Sequence, residues 1–397
     1  NRDEPRGGLG DPGLQAPRVL RYAADGPALA FMATGDGLLH AFDADTGVER
    51  WAFLPAVLLP RLAALAPGYR SLSRGHGLDG PLTLAWHDRG HDGRLVGADG
   101  DRAWLLGGLG RGGTGYFALD VIDPDAPRLL WSLDAGDLPG FGQSWPAPVL
   151  ARMRLADGTV RRVALLAGGF DPAEDASVAP ARSLGAAVAI IDVESGRLLW
   201  RAGAAGPDTD LEVPALQRSA VTPPRVLDTD GDGLDDRLYL LDVGGGLLRI
   251  DFPRGEIGAD ASAILLARLG TEPPAGPRRF LATPDVVPVE RDGVRQFAIA
   301  AGSGWLSRPR EPDVDDAFFV VFDDLASPGP SPALEEADLA DVTAPPHEAP
   351  GGAAGWMLRL AGHGSGEKTA GASFTFDHRL RFATYQPRPP AADAPCG

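Results

Sequence analysis

An internal repeat constrains the fold of this chain more than any other feature of its sequence. Each copy has small residues and an apolar run, an aspartate that ends the run, a turn, and a second strand-like run. The copies occupy residues 37–53, 115–133, 185–203, 245–259 and 317–325. Their equivalent aspartates are Asp43, Asp120, Asp192, Asp251 and Asp323, separated by 77, 72, 59 and 72 residues. These spacings exceed the roughly 40–50 residues of a simple propeller blade, so the pattern predicts a β-propeller with insertions or unmarked blades.

Composition supports an all-β chain. The chain contains 53 glycines and 37 prolines, and its apolar runs of strand length are bounded by glycine, aspartate and proline. This arrangement is typical of antiparallel hairpins joined by tight turns. Helical periodicity is limited to residues 55–65, where we expect a short surface helix. The net charge of −17 argues against nucleic acid as a partner. No apolar run reaches 18 residues, so the sequence predicts no membrane-spanning segment.

The domain organisation follows from these patterns. Residues 1–17 are predicted to be a flexible entry segment and residues 18–397 a single propeller domain. Residues 170–184 look inserted. The Pro-, Ala- and acid-rich residues 326–354 are expected to be either a mobile insertion or a loop that only a partner orders. The first residue is Asn1, so we interpret the chain as an excised domain. Its single cysteine, Cys396, cannot form an internal disulfide, and its partner is expected beyond the chain.

The sharpest chemical signal is the acidic stretch DTDGDGLDD at residues 228–236. Ca²⁺ takes six to eight oxygen ligands, and alternating aspartates direct successive carboxylates into one concavity. We assign Asp228, Asp230 and Asp232 as side-chain ligands, the carbonyl of Leu234 as a main-chain ligand, and Asp236 as the final carboxylate. Asp235 is expected to point outward. Gly233 permits the sharp turn that closes the loop.

The residues of this loop distinguish a nine-residue calcium loop from an EF-hand. A helical EF-hand needs a glutamate at loop position 12, which is Tyr239 here, so the loop is a nine-residue calcium loop leading into a strand. Mg²⁺ is disfavoured because it keeps several waters. A turn that binds nothing is the alternative, but five carboxylates within nine residues repel one another without a cation. We predict no zinc site among the histidines.

The tryptophans Trp51, Trp131 and Trp200 follow repeat aspartates at similar distances. We interpret them as packing wedges between blades. Similar tryptophans occur in quinoprotein propellers, so a quinone-dependent dehydrogenase is an alternative, although it commonly needs an adjacent cysteine pair that Cys396 cannot supply. An extracellular lectin or scaffold propeller is a third possibility.

At these same segments the chain resembles PilY-type type IV pilus biogenesis proteins, in their C-terminal propeller domain. The resembling blocks, in order, lie at residues 35–47, 75–88, 105–124, 227–252, 298–306, 355–360, 366–371 and 381–387. The acidic loop that runs directly into a Gly-Gly strand pair is the most specific of them. No Arg-Gly-Asp motif is present, so host-cell binding by that route is not expected.

The resemblance implies a modified, seven-bladed propeller with calcium on a rim loop, held by Asp228, Asp230, Asp232, Leu234 and Asp236. It implies a non-enzymatic tip adhesin that regulates pilus extension and retraction and supports twitching motility and surface adhesion. The implied partners are minor pilins, the type IV pilus machinery and a surface or host ligand. The implied location of the exported protein is the outer membrane, cell surface or pilus tip.

Overall fold

The computed structural model describes residues 18–61, 76–176, 183–270, 277–327, 329–360 and 366–387. Within these ranges the regular structure is strand, apart from 3₁₀ turns at Ala56–Arg61, Gly97–Asp99, Pro172–Asp175, Pro253–Gly255 and Glu336–Asp338. The helix predicted over 55–65 is therefore a 3₁₀ turn as far as Arg61, with Pro60 inside it, and residues 62–65 lie outside the described part. The all-β prediction is confirmed.

Two compact units divide the chain. The first comprises the described residues of Asn1–Pro172, Arg182–Arg237 and Asp251–Ser262, and the second those of Ala173–Ala181, Leu238–Ile250 and Ala263–Gly397. The boundaries predicted for a single domain over 18–397 stay a prediction, and the entry segment 1–17 lies outside the described residues.

The first unit contains three sheets and one short strand. The strands are β1 (Arg18–Arg21), β2 (Ala28–Ala33), β3 (Leu39–Asp43), β4 (Glu49–Phe53), β5 (Leu82–His87), β6 (Arg102–Gly108), β7 (Gly115–Asp120), β8 (Arg128–Asp134), β9 (Val149–Arg154), β10 (Val160–Ala167), β11 (Ala187–Asp192), β12 (Leu198–Gly203), β13 (Leu211–Glu212) and β14 (Arg225–Leu227). The sheet orders are β1-β2-β3-β4, β5-β6-β7-β8 and β13-β12-β11-β10-β9. All neighbours are antiparallel except β12 and β13, so each sheet is a meander like the blade of a propeller.

The sheets of the first unit pack face to face, which explains their sequence pattern. Phe31 of the first sheet shares a core cluster with Leu105 and Phe117 of the second. Leu106, next to Leu105 on β6, belongs to another cluster with Leu166 of the third sheet. Successive strand residues point to opposite faces, and both faces of the central strands are covered. The central strands therefore read as continuous apolar runs.

Two of the repeat tryptophans join these sheets. The indole N–H of Trp51 donates to the carbonyl of Pro124 at 3.0 Å, and that of Trp131 donates to the carbonyl of Val193 at 2.7 Å. Trp200 is buried and packs edge-on against Phe252, with ring centroids 4.9 Å apart. All three side chains therefore serve inter-sheet packing, as predicted from the sequence.

The remaining strands lie in the second unit, apart from the strand ends Arg237, Asp251 and Ser262, which belong to the first. They are β15 (Arg237–Leu241), β16 (Gly246–Asp251), β17 (Ser262–Arg268), β18 (Asp285–Arg291), β19 (Val294–Gly302), β20 (Ala317–Asp324), β21 (Leu334–Glu335), β22 (Ala340–Asp341), β23 (Gly355–Arg359), β24 (Lys368–Thr369), β25 (Phe374–Phe376), β26 (Arg379–Arg381) and β27 (Thr384–Tyr385). One sheet contains the run β15-β16-β17-β21, and another has the order β18-β19-β20-β23-β22. Two short ribbons, β24-β27 and β25-β26, complete the described part.

The acidic segment 326–354 contributes to these sheets. Its strand β21 lies parallel to β17, and β22 lies parallel to β23. The side chains of Leu339 and Val342 are buried. Few apolar residues are thus enough to attach the described part of this segment, and the mobility expected for it stays a prediction.

Candidate metal centre

The acidic loop 228–236 connects β14 to β15, and its two ends are joined by the backbone. The amide of Asp236 donates to the carbonyl of Leu227 at 2.9 Å. The amide of Phe252 in turn donates to the carbonyl of Asp236 at 2.6 Å. Chain entry and exit are therefore held side by side, and the intervening residues form a closed loop.

Three of the predicted ligands come together in this loop. One carboxylate oxygen from each of Asp228, Asp230 and Asp236 lies within 4.8 Å of the others. Asp228 and Asp236 are half-buried, whereas Asp230 is exposed. A cation held by these groups would therefore contact protein on one side and remain open to water on the other.

Backbone amides hold the Asp228 carboxylate in place. Its Oδ1 accepts from the amide of Gly231 at 2.7 Å, and its Oδ2 accepts from the amide of Gly233 at 2.9 Å. Both glycines have left-handed backbone, with φ of +81° and +87°. Residues other than glycine rarely adopt this backbone conformation. The structure therefore confirms the turn predicted at Gly233 and adds a second one at Gly231.

The Asp236 carboxylate is held by Thr229 from the opposite end of the loop. The Thr229 amide donates to Oδ1 and Oδ2 at 3.1 and 3.2 Å, and its hydroxyl donates to Oδ2 at 2.9 Å. Burial raises the pKa of Asp236 above its usual range, the hydrogen bonds from Thr229 oppose the rise, and the charges of Asp230 and Asp228 add to it. A cation at this position would favour the ionised form.

Asp232 and Leu234 lie outside the group of three. The exposed Asp232 accepts from the amide of Leu234 at 2.8 Å through its Oδ1. The Leu234 side chain is buried, and a Cβ on Gly255 would lie only 2.6 Å from its Cβ. Gly255 therefore makes room for the one apolar side chain of the loop. The ligand roles of Asp232 and of the Leu234 carbonyl stay predictions.

Asp235 holds the loop against strand β9. Its amide donates to the carbonyl of Arg152 at 2.8 Å, and its Oδ2 accepts from the amide of Arg152 at 2.8 Å. The side chain thus points away from the group of three, as predicted, but it is half-buried and has a structural partner. The sequence contains no local signal for this contact because the two residues are 83 positions apart.

The three carboxylates supply hard oxygen ligands within 4.8 Å of one another, the kind of ligand that a divalent cation such as Ca²⁺ takes. Three carboxylates supply too few oxygens alone, so water, Asp232 or the Leu234 carbonyl would complete the shell.

Within the described ranges, no other group of three His, Cys, Asp or Glu side chains comes this close. His87 and His91 are four residues apart, but they lie at the end of β5 and in the following loop, not on a helix. Among those same residues, no helix is long and apolar enough to cross a membrane.

Antiparallel sheets that pack face to face, together with an acidic loop between strands, define a β-propeller with a candidate cation site. The sequence profile described as the PilY1 beta-propeller domain matches residues 22–265. The chain belongs to this family. Its β-propeller fold, predicted from the repeat and the resemblance, is confirmed, and the number of seven blades stays a prediction.

Curated relatives and a solved structure agree with this assignment. The Pseudomonas aeruginosa type IV pilus biogenesis factor PilY1 is 32% identical over 234 residues, which cover 58% of this chain and 17% of that protein. A PilY1 homolog from Xylella fastidiosa is 41% identical over 133 residues, covering 33% of this chain and 10% of the homolog. The chain therefore corresponds to a small part of these relatives. The crystal structure of the P. aeruginosa PilY1 C-terminal domain superposes with a TM-score of 0.63 at 21% identity, covering 91% of this chain and 76% of that one.

Proposed function

We propose that this chain is the calcium-binding, non-enzymatic propeller of a type IV pilus biogenesis factor. The observation that carries the calcium part is the gathering of Asp228, Asp230 and Asp236 in a loop closed by two left-handed glycines. The pilus part rests on membership of the PilY1 propeller family and on the names of its curated relatives.

In this proposal Ca²⁺ is bound by the carboxylates of Asp228, Asp230, Asp232 and Asp236 and by the carbonyl of Leu234. The ion neutralises carboxylates that otherwise repel one another across less than 4.8 Å. Loss of the ion frees the exposed side of the loop, so calcium controls the shape of a partner surface. Because Leu227 of β14, Arg152 of β9 and Phe252 hold the base of the loop, its closure does not depend on the ion alone.

A binding module is favoured over a quinoprotein-like dehydrogenase. The tryptophans that suggested such an enzyme are used for packing, with Trp51 and Trp131 each donating to a carbonyl of another sheet. An extracellular lectin or scaffold remains the second alternative, and the acidic loop itself does not discriminate against it.

The cellular role follows the relatives. The proposal places the exported protein at the outer membrane, cell surface or pilus tip, with minor pilins and the type IV pilus machinery as partners. There it regulates pilus extension and retraction and supports twitching motility and surface adhesion, with a surface or host ligand as a further partner.

Calcium binding is tested by titration calorimetry on the purified chain, with Mg²⁺ as the competing ion. Asp236→Ala and Asp230→Ala are expected to abolish measurable calcium binding while leaving the unfolding temperature in a chelator unchanged within a few degrees. Asp88→Ala is the matched control, since Asp88 accepts amides of Asp92 and Gly93 in a similar Asp-Gly turn outside the group. Wild-type calcium affinity in both loop variants would overturn the site.

The cellular role is tested by deleting the gene in the source bacterium and restoring it as wild type or as Asp236→Ala. Wild type is expected to restore surface pili and twitching, and the variant to restore them only in part. If wild type restores neither, the pilus role fails whatever the calorimetry shows. Full restoration by the variant would leave the pilus role intact and refute calcium control.

A further inference from the structure

The β25–β26 hairpin of the second unit is anchored through one face. The Thr375 hydroxyl donates to Asp285 Oδ2 at 2.7 Å. Leu380 and Phe382 pack against a core cluster, and the Phe382 ring stacks on Phe318 with centroids 4.0 Å apart. The hairpin is therefore fixed to the core and cannot turn its other face inward without losing these contacts.

The opposite face is aromatic and cationic. Phe374 pairs with Arg381 across the hairpin, and Phe376 pairs with Arg379. Side chains alternate along a strand, so these four lie on the same face, opposite to Thr375 and Leu380. Phe374 is 53% exposed and Phe376 is 71% exposed, and both arginines are exposed. Phe376 is thus a large apolar side chain that the fold leaves mostly in water.

The turn at the tip of the hairpin keeps further polar groups there. Asp377 and His378 form the two-residue connection, and both have positive φ, at 50° and 57°. Such turns favour Asn-Gly or Asp-Gly, because residues with a side chain rarely adopt positive φ. The Asp-His pair therefore places two polar side chains at a turn where glycine is preferred.

The two arginines stand out against the charge of the chain. The chain as a whole carries a net charge of −17. Two other arginines of the second unit, Arg249 and Arg278, have buried guanidinium groups that form ion pairs with carboxylates. In the part of the chain that the structure describes, Arg379 and Arg381 form no such ion pair. Two guanidinium groups beside two exposed phenylalanines make a small face whose charge is opposite to that of the rest of the protein.

We propose that this face, formed by Phe374, Phe376, Arg379 and Arg381, docks an extended acidic segment of a partner protein. Carboxylates of that segment pair with the two guanidinium groups, and its apolar side chains cover the two phenylalanine rings. In an extended segment residues two positions apart share a face, so acidic and apolar residues that take turns at every second position provide both to this face. The proposal is independent of calcium binding and of the pilus role.

A peptide segment fits this face better than a polyanionic surface. Nucleic acids and anionic membranes gain affinity from many simultaneous charge contacts, and the negative field of the whole chain opposes them. A short acidic segment needs only the two guanidinium groups and the apolar cover. Arginine and aromatic side chains are also those enriched at protein interfaces.

The test measures anisotropy of a fluorescent peptide in which glutamate and an apolar residue, leucine or phenylalanine, take turns at every second position with serine between them, titrated with the purified chain. Arg379→Glu with Arg381→Glu, and separately Phe374→Ser with Phe376→Ser, are expected to weaken binding at least about tenfold. Arg379→Lys with Arg381→Lys should retain most of it. The matched control is Val19→Ser with Val48→Ser, which removes side chains 51% and 60% exposed in the first unit.

Three outcomes of the peptide titration, and one of a vesicle experiment, would contradict the proposed docking of an acidic segment. Equal binding of a peptide with lysine in place of glutamate, no binding of the acidic peptide, or no loss in either hairpin pair would overturn the proposal. Vesicles containing phosphatidylglycerol serve as the competing target. If they bind the wild type through the four residues and the acidic peptide does not, the face is a membrane contact and the proposal is wrong.

Discussion

Asp192 in the first unit and Asp323 in the second occupy equivalent positions of the repeat, and both side chains are buried, yet they are stabilised differently. Asp192 accepts from its own turn: the amides of Glu194 and Ser195 at 3.1 and 2.8 Å, and the Ser195 hydroxyl at 2.8 Å. Asp323 accepts from Arg249 at 2.8 and 3.1 Å and from the Tyr239 hydroxyl at 2.6 Å.

The difference shows that one sequence pattern can serve two purposes. In the first unit the aspartate fixes a local turn, as Asp43 also does with Thr46. In the second unit it balances a buried cation that comes from 74 residues earlier in the chain. The turn at Asp192 depends on a few neighbouring hydrogen-bond donors. The Arg249–Asp323 pair instead makes strands β16 and β20 depend on each other for charge balance.

The largest expected effect on stability comes from removing the Asp323 carboxylate that pairs with Arg249. Asp323→Ala leaves the Arg249 guanidinium buried without its carboxylate and should lower the free energy of unfolding by about 3–5 kcal/mol. Urea unfolding measures the loss. The adjacent Asp324→Ala is the control, because Asp324 is only half-buried and accepts a single amide, from Ala326. Equal losses in the two variants would contradict the role assigned to the Arg249–Asp323 pair.

The next largest effect is on the pH dependence of stability, which should differ between Asp316 of the second unit and Asp43 of the first. Burial raises the pKa of Asp316 to about 6, against the opposing effects of the Ser303 hydroxyl, which donates at 2.6 Å, and of the Lys368 charge. The native state therefore binds this proton more tightly than the unfolded state. The contribution of Asp316 to stability should fall by up to about 2–3 kcal/mol as pH rises from about 4 to 6.

Asp316→Asn keeps the acceptor for Ser303 and should remove this slope in urea unfolding measured across that range. Asp43 in the first unit has the opposite sign. Hydrogen bonds from Thr46 lower the pKa of its carboxyl, so its contribution is present above the usual pKa and is lost as pH falls below it. An unchanged slope in the Asn variant would show that another group titrates.

The smallest effect on stability is expected from removing the Asp192 carboxylate. Asp192→Ala removes three hydrogen bonds within one turn, but no buried cation depends on them, and the loss should be about 1–2 kcal/mol. Asp192→Asn retains an acceptor and should restore most of the stability. A loss as large as that of Asp323→Ala would remove the distinction between the two units.

The part of the fold that could be predicted from the sequence is the local part. Apolar runs located the central strands because both of their faces are covered, and the glycine at 233 located the turn of the acidic loop. The same local spacing brought Asp228, Asp230 and Asp236 together correctly. Each of these features depends on residues a few positions apart, and the sequence presents them side by side.

What could not be predicted depends on distant partners. Glu174 lies in a segment that looks like a polar insertion, but it is fully buried, and its carbonyl accepts from Arg279 at 2.9 Å. No local sequence signal marks the hairpin formed by Phe374–Phe376 and Arg379–Arg381, because its turn contains Asp377 and His378 instead of glycine. The pairing of β21 with β17 joins strands more than 60 residues apart in parallel, and no local pattern marks it.

The attachment of the acidic loop to β9 has a consequence for how such proteins diverge. Asp235 is attached to position 152 through the backbone amide and carbonyl of Arg152, and every residue except proline provides both groups. Position 152 can therefore change to most amino acids without weakening the attachment, whereas Asp235 cannot lose its carboxylate without losing the hydrogen bond from the Arg152 amide. In a comparison of distant relatives, Asp235 is expected to be shared more often than the residue at position 152.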